Sequence, residues 1–280
     1  MPQTVTAVIT TYHRRAELLE RAIKSVLAQT YPDIELIVVD DNENDSPYCG
    51  EISSLCGRTG ARYIKQNGNQ GACAARNLGI QYASGEYIGF LDDDDEWMPE
   101  KIEKQVARFQ SGNDRLGMVY CRGLIIDEET SLSQDYYSIM SPLNLTFDMM
   151  LAKDYIGTTT NPLIRKECFD RVGGFWTKQP ARQDYEMWIR IAREYEIVGL
   201  EGPLFKNYHH AGDQITKQPI RAFIGMRNIY WRYKKEYYRL PFAERRQLDL
   251  LIRAGKQCGK KCLYYRLRRK FLIRKHHMKP

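Results

Sequence analysis

Short apolar runs alternate with helix-spaced segments through the first half of the chain, and this alternation restricts the fold more than any other feature. Residues 5–10, 34–39, 62–65 and 86–91 read as strands; Leu19, Ala22, Ile23, Val26 and Leu27 share one helical face, and 72–83 has helical composition. Strands separated by helices predict βαβ units and a mostly parallel sheet. Right-handed crossovers then bring the strand ends to one edge. Three of those ends are polar: Thr10-Thr11-Tyr12, Asp40-Asp41 and Asp92-Asp93-Asp94-Asp95. The second half is less regular. We expect a strand over 118–126, a polar β-branched run over 158–164, and a short helix over 165–172 before Gly173-Gly174-Phe175. A helix over 184–195 and strands over 196–200 and 204–208 follow. From Gln218 the pattern is helical, aromatic and basic, with Pro241 expected to separate two helices.

The fourth strand runs directly into four acids. Unpaired charge is costly to bury, so Asp92 to Asp95 are expected to leave the sheet at its carboxyl edge, where open α/β sheets hold ligands. Carboxylates crowded there repel one another unless a cation neutralises them. Hard oxygen donors of this kind suit Mn2+ or Mg2+ held against substrate phosphates. A solvated acidic loop is the other reading, since Pro99 follows and Asp favours first helical turns. These residues by themselves leave both open.

Other candidates are read the same way. No Gly-rich turn follows the first strand, so a P-loop or dinucleotide fingerprint is absent. Thr10 and Tyr12 offer a hydroxyl and an aromatic face. Asp41 could accept a hydrogen bond from a base or ribose, or simply make a turn. Gly71-Ala72-Cys73-Ala74-Ala75-Arg76-Asn77 opens a helix with small residues, a setting that attracts phosphate; Arg76 is a bidentate phosphate or base contact, or a surface ion pair. Asp184 is an N-cap worth about 1 kcal/mol, or a general base. His209 and His210 sit beside Gly212 and Asp213, as ligands to metal or phosphate or as structural residues.

Charge is unevenly distributed. The net charge is +7, yet from Arg253 onward there are eleven Lys or Arg and no Asp or Glu, which leaves −4 for residues 1–252. A net-negative body with an acidic edge opposes a long polyanion in the main cleft, so no nucleic acid is expected. No apolar run approaches the roughly 20 residues that span a bilayer. Met1-Pro2-Gln3-Thr4 does not open a signal peptide. Seven scattered cysteines suit reduced thiols in a cytoplasmic protein.

Taken in order, these segments resemble the family 2 glycosyltransferases with the GT-A fold, over roughly residues 4–217. The resemblance rests on Val5-Thr6-Ala7-Val8-Ile9-Thr10-Thr11-Tyr12, on Ser25-Val26-Leu27-Ala28-Gln29-Thr30-Tyr31-Pro32 leading to Glu35-Leu36-Ile37-Val38-Val39-Asp40-Asp41, and on Ala75-Arg76-Asn77-Leu78-Gly79. Phe90 to Asp95 is similar to the family's DXD-type segment, and Val172-Gly173-Gly174-Phe175 with Gln183-Asp184 to its acceptor-side elements. The fold implied is α/β: a Rossmann-like, mostly parallel sheet flanked by helices. Residues 1–115 would bind the nucleotide sugar and 116–217 the acceptor, with 218–280 a helical basic extension.

The activity implied is metal-dependent, inverting transfer from a nucleotide sugar, a UDP-sugar first, to a glycan or lipid-linked acceptor in cell-surface polysaccharide synthesis. Thr10, Tyr12 and Asp41 would hold the nucleoside, with Arg76 near the base or diphosphate. Asp92 and Asp93 would serve the donor, and Asp94, Asp92 and His210 the Mn2+ or Mg2+. Asp184 would be the base. Asp93 departs from the family, where a small residue is commoner. The basic, aromatic tail over 253–280 would either pack on the body or meet an anionic membrane surface, which puts the protein on the cytoplasmic face of the plasma membrane. A nucleotidyltransferase acting on sugar phosphates, or a nucleic-acid-binding protein using the tail, are the rival classes.

Overall fold

The structure is a computed structural model, and it describes residues 3–127, 129–130, 132–135, 142–209 and 218–278. The described residues divide into two compact units. The first is drawn from Met1–Leu145, Tyr155–Phe175 and Arg190–His210; the second is drawn from Thr146–Asp154, Trp176–Ile189 and Ala211–Pro280.

The first unit begins with alternating strands and helices. These are β1 (Val5–Thr11), α1 (Ala16–Leu27), β2 (Ile34–Asp40), α2 (Tyr48–Thr59), β3 (Arg62–Lys65), α3 (Ala72–Tyr82) and β4 (Tyr87–Asp92). In β1 five consecutive residues from Val5 to Ile9 are buried, the pattern of a strand covered on both faces. Helix α1 buries Leu19, Ala22, Ile23 and Val26, the spacing of a single apolar stripe. The helix α2 went unread in the sequence; it buries only Ile52, Leu55 and Cys56. Strands β3, β2, β1 and β4 lie in that order and are parallel. Thr11 lies opposite Asp40, and Thr10 opposite both Val39 and Asp92. The three polar strand ends therefore occupy one edge. Helix α3 seats closely on this sheet because residue 79 is glycine: a Cβ there would collide with Val8 Cγ1.

Beyond β4 come β5 (Glu96–Trp97), α4 (Lys101–Gln110), β6 (Leu116–Asp127), β7 (Ser133–Asp135) and β8 (Asn144–Leu145). Then follow α5 (Phe147–Ala152), β9 (Leu163–Arg165), α6 (Lys166–Val172), α7 (Gln183–Glu194) and β10 (Glu196–His209). The sheet continues β4-β9-β6-β10-β5, with β9 antiparallel to both neighbours and β10 parallel to β6. Two expectations change. Residues 196–209 form one strand rather than two. Their register against β6 shifts between Gly199 and Pro203, where Gly202 takes a φ of +82° and Pro203 has no N–H for the ladder. The helix expected from residue 165 begins at Lys166, because Arg165 closes the strand β9 that starts at Leu163; Thr158, Thr159 and Thr160 precede that strand with other work to do.

The second unit is helical: α5, then α8 (Pro219–Arg232), α9 (Lys234–Tyr237), α10 (Pro241–Gln257) and α11 (Leu263–Lys275). Pro241 does open a helix at its first turn, where the missing N–H costs nothing. The Tyr237 hydroxyl donates to the Leu151 carbonyl at 3.0 Å, and the Tyr230 and Tyr237 rings stack at 5.6 Å. The tail does not lie free: α11 buries Tyr265 and Leu272. All seven cysteines are free thiols. Among the described residues, no helix is long and apolar enough to cross a membrane.

Candidate active site

Strand β4 delivers the acid run to the edge it shares with β1 and β2, and a turn closes it, with the Asp95 N–H donating to the Asp92 carbonyl at 3.0 Å. The four carboxylates then part company. Asp92 accepts from Arg76 Nη2 at 3.0 Å, from the Thr159 hydroxyl at 3.0 Å and from the Thr158 hydroxyl at 3.3 Å. Asp93 accepts from Arg14 Nε at 2.9 Å, and Asp94 from Arg14 Nη2 at 3.0 Å. Asp95 accepts from the Thr160 hydroxyl at 2.6 Å, the Asn207 amide at 3.0 Å and the Tyr208 N–H at 3.1 Å.

This corrects two steps of the sequence argument. The acids do not all emerge: Asp93 is 6% exposed and Asp95 is fully buried. Hydrogen bonds make that tolerable, and burial raises both carboxyls. Asp93 is pushed up to about 7 despite Arg14 beside it, and Asp95 also rises, with Asp92 and Asp94 adding repulsion. Nor is an external cation the sole relief of repulsion: Arg14 and Arg76 set two cations against the four carboxylates and offset part of it. Neither arginine's contact was legible, since Arg14 stands about eighty residues from its partners. Thr158, Thr159, Thr160 and Asn207 were likewise missed. The Thr158-Thr159-Thr160 run was the available signal, because three hydroxyls in a row outside a regular element suit carboxylates as partners.

The nucleoside candidates lie along the same edge. Thr10 is half-buried at the end of β1. Tyr12 is 41% exposed, its ring stacked on His13 at 4.0 Å and its hydroxyl donating to Glu43 at 3.1 Å. His13 has a φ of +49°, a left-handed conformation that costs energy away from glycine. Asp41 is buried and accepts from the Gln66 amide at 2.6 Å and from the N–H groups of Gln70 and Gly71 at 2.8 and 2.9 Å. Burial raises its carboxyl, and those N–H bonds oppose the rise. Asp41 therefore staples the loop before α3 to the end of β2. Arg76, in the first turns of α3, points its guanidinium to Asp92 and lies 5.7 Å over the Phe175 ring.

Asp184 belongs to the second unit. It stands in the first turn of α7, where its Oδ1 accepts the Tyr185 N–H at 2.7 Å. Arg182, two residues earlier, has a φ of +57°. Among the described residues four non-glycine residues take this region: His13 beside Tyr12, Arg182 near Asp184, and Cys262 and His277 at the two ends of α11. His210 lies outside the described residues.

The carboxylates of Asp92 and Asp94 are 32% and 19% exposed. They are hard donors of the kind a divalent cation takes when substrate phosphates complete its shell. Among the described residues no cluster of three or more His, Cys, Asp or Glu side chains surrounds a common point. The residues present thus fit a partial ligand set.

A mostly parallel sheet that gathers carboxylates from the ends of β2 and β4 beside the end of β1 has the architecture of an α/β enzyme. The model of Glycosyl transferase family 2 matches residues 6–173, and the chain belongs to that family. It is 31% identical over 235 residues to the putative colanic acid biosynthesis glycosyl transferase WcaA of Escherichia coli K12, covering 80% of each chain. It is 27% identical over 222 residues to the Escherichia coli UDP-Glc:alpha-D-GlcNAc-diphosphoundecaprenol beta-1,3-glucosyltransferase WfgD, covering 79% of this chain and 83% of that one. An uncharacterized glycosyltransferase of Rickettsia conorii is 31% identical over 212 residues, and the chain spans only 34% of its length. Among solved structures, S. aureus TarS 1-349 in complex with UDP-GlcNAc superposes with a TM-score of 0.66 at 16% identity, covering 90% of this chain and 73% of that one. The mannosyltransferase PcManGT from Pyrobaculum calidifontis, in complex with GDP-Man and Mn2+, gives 0.62 at 16% identity over 91% and 74%. These likenesses support the GT-A type of architecture.

Proposed function

We propose that the protein moves a sugar from a nucleotide-sugar donor, a UDP-sugar, to a hydroxyl of a glycan or lipid-linked oligosaccharide in cell-surface polysaccharide synthesis. Transfer is a single inverting displacement assisted by Mn2+ or Mg2+. The observation that carries this reading is the shared edge of β1, β2 and β4 in a family 2 chain, where Thr10 lies opposite Asp92 and Thr11 opposite Asp40. The donor named for WfgD and the UDP-GlcNAc bound by TarS favour uridine, and the GDP-Man bound by PcManGT makes guanosine the rival.

In this reading Thr10 and Tyr12 flank the nucleoside, and Asp41 shapes its floor by fixing Gln70 and Gly71. Arg76 provides a guanidinium beside the diphosphate. Asp94 and Asp92 would hold the metal, with His210 completing the loop around the diphosphate. A bound cation supplies Lewis-acid stabilisation of the charge that grows on the departing diphosphate. Asp93 and Asp95 orient the turn rather than touch substrate. Asp184 takes the proton from the acceptor hydroxyl as it attacks.

Thermal unfolding with UDP-, GDP- and dTDP-sugars, with and without Mn2+, tests the donor. A nucleotide sugar at a hundred times its Kd should add about 2.7 kcal/mol of stability. Release of the nucleoside diphosphate with sugar transfer should follow. Pyrophosphate release from a nucleoside triphosphate would replace this reading with a nucleotidyltransferase.

The proposed setting is the cytoplasmic face of an anionic membrane, met by residues 253–280. Along α11, Leu263, Leu267 and Phe271 form an outward stripe at 66%, 57% and 50% exposure. Arg253, Lys256, Arg266, Arg269 and Lys270 line a cleft of about 580 Å3 between α10 and α11 together with Ile252 and Asp249, the last paired with Arg269. Apolar and cationic groups together suit an interfacial helix. Co-sedimentation with anionic vesicles should be lost when the exposed Leu263, Leu267 and Phe271 are all replaced by Gln, which leaves Arg268, Tyr265 and Leu272 in place; equal pelleting of both forms removes the tail from the proposal.

A further inference from the structure

Arg14 lies in the connection between β1 and α1, and its one guanidinium spans two adjacent carboxylates. Nε holds the buried Asp93 at 2.9 Å, and Nη2 holds the more exposed Asp94 at 3.0 Å. We infer that Arg14 takes the place of the divalent cation in the substrate-free protein, and that Asp93 is the anchor that keeps it there. The inference rests on the assignment of Asp94 as a metal ligand. It explains why an acid follows Asp92 where a small residue would leave more room: Asp93 faces an arginine instead of the metal.

The physical argument is one of competition. Mg2+ binds its oxygens at about 2.0–2.1 Å; each carboxylate oxygen has two lone pairs, so Asp94 Oδ2 can meet a cation while holding Nη2, but the guanidinium neutralises part of its charge and repels a second cation placed beside it. A charge-assisted, two-pronged contact is among the stronger hydrogen-bonding arrangements. Asp93 cannot easily release its prong, because a buried carboxylate left without its cation is strongly penalised. Arg14 is thus biased to stay, and a metal at Asp94 binds against its charge unless Nη2 moves away. The apparent affinity for metal is lowered by the fraction of molecules in which Asp94 is occupied.

The test is titration of the substrate-free full chain with MnCl2, followed by the electron paramagnetic resonance signal of free Mn2+. Arg14→Gln should bind Mn2+ more tightly, but loss of a nearby positive charge alone would act in the same direction. The decisive variant is therefore the double substitution Arg14→Gln with Asp93→Asn. Read at about pH 8, above the value of about 7 to which Asp93 is raised, it removes one positive and one negative charge, leaves the net charge of the site unchanged and buries no lone carboxylate. We expect it to bind Mn2+ about tenfold more tightly than wild type, the order set by one charge-assisted hydrogen bond that no longer has to be broken. Affinity equal to or weaker than wild type, including no measurable binding by either protein, overturns the inference. Asp94→Asn separates the underlying assignment: it should lose Mn2+ binding. If it binds as wild type does, Asp94 is not a ligand and the inference falls with it. If it loses binding while the double variant matches wild type, only the role of Arg14 is wrong.

Discussion

Asp184→Asn is expected to lower kcat by about 10²- to 10⁴-fold, the range that a positioned general base contributes, or about 3–5 kcal/mol in the barrier. The substitution separates the two roles open to this residue. Asp184 Oδ1 accepts the Tyr185 N–H at the start of α7, and an asparagine oxygen can accept the same bond. The first turn of the helix should survive, and so should the fold. The proton-accepting charge does not survive, because an amide cannot take a proton from a hydroxyl near neutral pH. The expected signature is a protein with wild-type unfolding temperature, unchanged stabilisation by the nucleotide sugar and almost no transfer. If turnover stays near wild type, Asp184 is a helix-start acid and nothing more. Asp184→Ala supplies the contrast, since it removes base and backbone acceptor together and should lose stability as well as activity.

The sequence was most legible where periodicity alone fixes structure. The runs before Thr10, Asp40 and Asp92 are apolar on both faces, which only strands inside a covered sheet require, and their parallel order follows from the helices between them. Contacts between remote segments were not legible. The acid run read as a cluster in need of a metal because sequence spacing shows Asp92 to Asp95 as neighbours. It does not show Arg14 or Arg76 reaching them from other elements. Asp41 looked available to a ligand for the same reason: its partners Gln66, Gln70 and Gly71 lie about 25 to 30 residues away. Strand β10 looked broken at Pro203, but the strand tolerates the proline through a register shift that depends on β6. Local chemistry identifies which groups are present at an edge, and tertiary contacts decide which of them remain exposed to a ligand.

In the helical unit, Arg268→Ala is expected to cost about 3–5 kcal/mol, the loss found when one partner of a buried ion pair is removed. Glu244 stands in the first turns of α10 and is fully buried. Its Oε1 accepts from the Tyr230 hydroxyl at 2.8 Å and from Arg268 Nε at 2.7 Å, and its Oε2 from Arg268 Nη2 at 2.8 Å. The paired prongs of the guanidinium match both carboxylate oxygens, a geometry that lysine cannot reproduce. Arg268 also lies 4.0 Å over the Tyr238 ring, so its stem and head tie α11 to the neighbouring aromatic residues. Alanine at 268 leaves Glu244 buried with a hydroxyl as its remaining partner in this set. Adding Glu244→Gln should return most of the loss, because a neutral amide can still accept from Tyr230 without carrying charge into the interior. The two single variants and the double form a cycle, read by thermal unfolding. A large positive coupling is expected between residues in such direct contact. If Arg268→Ala costs under about 1 kcal/mol, the pair behaves as a solvated surface bridge and the attachment of α11 rests on Tyr265 and Leu272 instead.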